Sequence, residues 1–84
     1  MELIILFLMN KGWEPIANSN DNVKHCLDIE LATLFIYTDN SAKVVLCPDR
    51  CPATAHEVLL IREVTSDLPS QATAFVEWAI WMER

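Results

Sequence analysis

The sequence predicts an α+β domain, in which a small antiparallel sheet of three or four strands is covered by an N-terminal and a C-terminal helix. Three features carry this reading. An apolar opening segment is closed by the chain's one glycine, β-rich runs flank a Thr38–Ser41 turn, and a capped apolar stretch ends the chain.

Glu2 to Lys11 reads as a short helix, with Gly12 suited to the left-handed position after its end and Trp13 placed to fold back on Leu8. A buried strand stays open as the alternative, because the continuous run Leu3 to Met9 carries no clear period. Trp13 to Ala17 fits a short edge strand, since Pro15 cannot donate to a central ladder. Asn18 to Asn22 is a loop of side chains that bond their own backbone.

From Leu27 the chain alternates. Leu27, Ile29 and Leu31 fall on one side, and the pattern runs on through Thr33, Phe35 and Tyr37 to the turn. Lys43 to Cys47 is a second β-rich run, so the two form a hairpin. Pro52 to Val64 reads either way, with Val58 to Ile61 favoured as a buried strand over a helix that would have no apolar stripe. Ser66 or Asp67 caps a final helix from Leu68 to Met82, with Pro69 near its first position.

Eighty-four residues allow one compact domain, here 1–84. With 52% apolar residues the chain is too hydrophobic for a disordered segment. Leu3 to Met9 is far short of the ~20 residues a membrane span needs. It also lacks the preceding positive charge and following small residues of a signal peptide. An odd cysteine count fits a reducing compartment, so a cytoplasmic protein is expected. A net charge of −6 disfavours a direct grip on nucleic-acid backbone. One glycine leaves no phosphate-cradling loop or nucleophile elbow, so an enzyme is not expected.

On a helical projection, Leu68, Phe75, Ala79 and Met82 are expected to face the sheet. Val76 and Ile80 widen that band on one side, Trp78 and then Trp81 on the other, and Ser70, Thr73, Glu77 and Arg84 form a narrow polar remainder. This apolar arc exceeds what one sheet can cover. Trp81, Trp78 and Ile80, with Glu77 beside Trp81, are therefore the candidate partner-binding residues, unless the N-terminal helix covers them. Trp13 reads as a cap or core residue.

The expected partner is a larger protein with a basic surface, or a second copy of the chain. Size and acidity suit an inhibitor or regulator, by analogy one that a phage or mobile element would direct at a host defence or nucleic-acid enzyme. A nucleic-acid-mimicking face is the sharper alternative, with Glu57/Glu63, Asp28/Glu30 and Asp39/Asp49 as the places for it. The competing class is a zinc-stabilised domain built on Cys26, Cys47, Cys51 and His56, although Cys47 and Cys51 have three residues between them where a knuckle has two.

Overall fold

The opening apolar run is helical, and Gly12 ends it. A computed structural model describes residues 2–47 and 55–83, and places α1 at Glu2–Asn10. The Gly12 amide donates to the Met9 carbonyl at 3.0 Å and the Trp13 amide to the Leu8 carbonyl at 3.1 Å, with Gly12 at φ +103°. These are the two bonds of a Schellman cap, and Leu8 and Trp13 make its apolar contact inside the core. The cap turns the chain into β1 (Glu14–Pro15), which is short and carries a proline, as an edge should. The following loop is held by the Asn18 and Asn20 carboxamide oxygens, which accept from the Asn20 and Asn22 amides.

Four further strands follow: β2 (Val23–Ile29), β3 (Ala32–Tyr37), β4 (Ala42–Leu46) and β5 (His56–Ile61). They form a five-stranded meander in chain order, antiparallel throughout. The sequence gives three or four strands because it reads Leu27 to Tyr37 as one run. The chain in fact reverses at Glu30 and Leu31, with Ile29 opposite Ala32. A two-residue connection inverts the alternation. Leu27 and Ile29 therefore share a face with Ala32, Leu34 and Ile36, while Thr33, Phe35 and Tyr37 point to the other side.

No glycine, proline or asparagine marks this turn. Glu30 takes the left-handed conformation itself, at φ +48°. A residue with a Cβ is strained there. Glu30→Gly is expected to raise stability by about 1 kcal/mol, seen as a higher urea midpoint at constant slope. An unchanged midpoint would contradict strain at this turn. The β3–β4 turn is the one its sequence signals, with the Asp39 carboxylate accepting from the Ser41 hydroxyl and amide. Those two bonds hold the Asp39 carboxyl below its ordinary range.

The expected buried strand at Val58 to Ile61 is instead part of the outer edge strand β5. Only Ile61 is buried and Leu60 is 66% exposed. β5 packs against β4 on one side, with a bulge between Val44 and Val45. Residues 52–54 of the Pro52 to Val64 segment lie outside the described residues.

α2 (Leu68–Glu83) closes the fold. The Asp67 carbonyl accepts the first helical bond from the Gln71 amide, which makes Asp67 the cap residue and puts Pro69 at the second helical position. Leu68, Ala72, Val76 and Ala79 form its buried stripe. They join Leu8, Trp13, Leu27, Leu34, Ile36, Val44 and Leu46 in one core on one face of the sheet. The Trp13 indole Nε1 donates to Thr73 Oγ1 at 2.9 Å, and that hydroxyl donates to the Pro69 carbonyl at 2.7 Å. Thr73 thus ties α2 to the α1–β1 junction rather than joining the polar surface.

On the opposite sheet face Phe35 and Tyr37 stack with ring centroids 6.4 Å apart. The Lys43 ammonium sits 5.8 Å from each ring and 3.2 Å from the Glu57 carboxylate. None of the described helices is long and apolar enough to cross a membrane.

Candidate functional site

The buried stripe of α2 differs from the one the helical projection favours. The small residues Ala72, Val76 and Ala79 are buried in the core instead. Phe75 is half-buried at one flank and Met82 is 58% exposed. This rotation turns the bulky aromatics outward. Trp78 is 55% exposed and Trp81 69%. Glu77 is exposed, whereas Ile80 is half-buried and packs against the core. Of the four candidate residues, Trp78, Trp81 and Glu77 present outward, and Ile80 forms a floor beside them.

α1 does not cover this face. It meets α2 and buries Leu8, but it leaves Leu3, Leu6, Phe7 and Met9 exposed themselves. This second apolar helix surface is not among the residues the sequence marks for partner binding. The signal was present: seven consecutive apolar residues wrapped on a cylinder cannot all face one core.

The two late tryptophans flank different grooves. Trp81 lines one of about 270 Å³ with Glu77 and Ile80 from α2 and with Ile29 and Glu30 at the β2–β3 turn. Trp78 lines another of about 200 Å³ with Phe75, Met82, Leu46 and Val58. The Phe75 and Trp78 ring centroids are 5.5 Å apart at 54°, a tilted pair that restrains Trp78. The C-terminal half of α2 is thus an aromatic ridge between two apolar furrows.

One end of the molecule is acidic. Glu14 and Asp28 are register partners on β1 and β2, and with Glu30 they line an open hollow of about 570 Å³. Like charges directly opposite one another destabilise a sheet. Asp28 gains a hydrogen bond from the Thr33 hydroxyl at 2.6 Å. Among the described residues, no Lys or Arg lines this hollow or the Trp81 groove. The other acidic pairs are not assembled this way, since Glu57 binds Lys43 and Asp39 serves its turn. Asp49 lies outside the described residues.

The four zinc candidates do not converge. Cys26 is level with Phe35 on β3, whereas the Cys47 amide donates to the Leu31 carbonyl, four residues further along. That spans about 13 Å along the strand, against a zinc–sulfur distance of ~2.3 Å. His56 is opposite Leu46, near Cys47, and Cys51 lies outside the described residues. No three His, Cys, Asp or Glu among the described residues are grouped to hold a metal. Burial pushes the Cys26 thiol up from its ordinary value, against a hydrogen bond from Asn18 that lowers it. A raised thiol is a poor thiolate ligand. Chelator is expected to leave the melting temperature unmoved, and Cys26→Ser to leave metal content unchanged. A drop of several degrees with chelator would place a metal near Cys47 and His56.

No family model, no curated protein and no solved structure matches this chain.

Proposed function

We propose that this chain is a protein-binding module that acts by occupying a surface of a larger, basic partner through the outward face of α2. The observation that carries the reading is the exposure of Trp78 and Trp81 on one helix whose inner face is already satisfied by the sheet. Interface hot spots are enriched in tryptophan, each worth ~2 kcal/mol or more when truncated. The carboxylates of Glu77, Glu30, Asp28 and Glu14 lie beside that face and steer it toward positive charge.

The mode of action is steric. An inhibitor or regulator of a nucleic-acid enzyme, carried by a phage or mobile element, fits the size and the charge. A second copy of the chain is the competing occupant, but each copy brings a charge of −6, which opposes self-association at low salt.

The test is affinity capture from host extract by the wild-type chain and by the Trp78→Ala/Trp81→Ala variant, read by mass spectrometry. A partner retained by the wild type and lost by the folded variant, with weaker retention at high salt, supports the reading. Equal retention by both overturns it.

A further inference from the structure

We infer that the groove between Trp81 and the β2–β3 turn is a receptor for a single guanidinium, an arginine side chain presented by the partner. The inference rests on the binding role of α2 and specifies the chemistry one part of that face accepts.

The groove has the three parts such a side chain needs. Its floor is apolar, from Ile29, Val76 and Ile80, and suits the aliphatic stem of an arginine. Its wall is the Trp81 indole, the aromatic face best suited to a cation. Two exposed acidic residues from different elements also line the groove, Glu77 one helical turn before Trp81 and Glu30 from the β2–β3 turn. A planar fork with five donors can stack on the indole while reaching both carboxylates, which a compact ammonium does less well. At about 270 Å³ the space falls below the ~300–1,000 Å³ usual for small-molecule pockets. It suits a side chain rather than a free metabolite.

The same molecule shows this arrangement completed elsewhere. On the far face of the sheet Lys43 lies over Phe35 and Tyr37 and binds Glu57, so an internal cation fills an aromatic–carboxylate site. In the Trp81 groove the aromatic and the carboxylates are present, but no described Lys or Arg lines it. Among the described residues nothing supplies that charge, and the arginine of a partner would supply it. Glu30 also lines the groove from a left-handed backbone position that glycine would fill without strain.

The test is a titration of the ¹⁵N-labelled chain with N-acetyl-arginine amide at low ionic strength. The Trp81 indole and the Glu30 and Glu77 amides are expected to shift together and saturably, while the Trp78 indole in the other groove stays still. Glu77→Gln and Glu30→Gln should each weaken binding about two- to fivefold, and Trp81→Ala should abolish it. Circular dichroism checks that each variant is folded. N-acetyl-citrulline amide, which lacks the charge, should shift nothing.

Absence of shifts, equal shifts with citrulline, equal affinity for N-acetyl-lysine amide, or indifference to both glutamine variants would each overturn the assignment. The two readings fail separately. If partner capture requires Trp78 and Trp81 but arginine shifts nothing, the groove assignment falls and the binding role stands. If arginine binds but capture ignores Trp81, the binding role falls and takes the partner's arginine with it.

Discussion

Trp13→Ala is expected to unfold most of the protein at room temperature. The side chain is 1% exposed and is the largest of the fully buried ones. Truncating a buried tryptophan costs about 3–5 kcal/mol, comparable to everything a core of this size supplies. Trp13 also sits where three elements meet: it completes the α1 cap, leads into β1 and donates to Thr73 on α2. Its loss removes volume and the one side-chain hydrogen bond that ties the two helical segments together among the described residues.

A graded series separates these contributions. Trp13→Phe keeps part of the volume and abandons the hydrogen bond. Thr73→Val keeps the volume and leaves a buried indole N–H unpaired, at about 1–3 kcal/mol. Thermal melts should rank the wild type above both, and both above Trp13→Ala. A cooperative melt for Trp13→Ala within a few degrees of the wild type would show that the core does not depend on this junction.

The second large effect falls on association rather than folding. Trp78→Ala with Trp81→Ala should leave the fold in place, because both side chains are more than half exposed. Surface substitutions usually stay within about 0.5 kcal/mol, and loss of the Phe75–Trp78 pair adds about 0.5–1.5 kcal/mol to that. Partner affinity should fall steeply. At ~2 kcal/mol per anchor, each substitution alone weakens binding about thirtyfold. The pair need not add, since both sit on one ridge. Titration calorimetry of the single and double variants against the captured partner reads these losses directly. A double variant that binds as tightly as the wild type while melting normally would remove α2 from the interface.

Much of the fold was legible because particular residues dictate local geometry. Gly12 stops α1, Asn18 to Asn22 bond their own backbone, Asp39 and Ser41 close the β3–β4 turn, and Asp67 with Pro69 starts α2. The β2–β3 turn was not legible. Glu30 and Leu31 carry no turn chemistry, and the alternation of Leu27, Ile29 and Leu31 runs in phase with Thr33, Phe35 and Tyr37 across the reversal. Nothing local distinguishes one long strand from two short ones there, so pairing across the sheet decides.

The candidate site was half legible. An excess of apolar side chains on the last helix points to an outward face, but hydropathy alone puts Phe75 and Met82 inward. The buried stripe instead runs through the smaller residues Ala72, Val76 and Ala79. The contribution of Glu30 to the Trp81 groove had no sequence signal, because it depends on a turn the sequence does not announce.

The binding role proposed for α2 puts the partner on the ridge of Trp78 and Trp81. Site-specific photo-crosslinking tests it most directly. A benzophenone amino acid replaces Met82 on the ridge or, as a control, Val45 on the opposite sheet face. An adduct with one partner is expected from position 82 and none from position 45. Unlabelled wild-type chain should compete that adduct away, and the Trp78→Ala/Trp81→Ala variant should not. Cross-linking from position 45 with none from position 82 would contradict it.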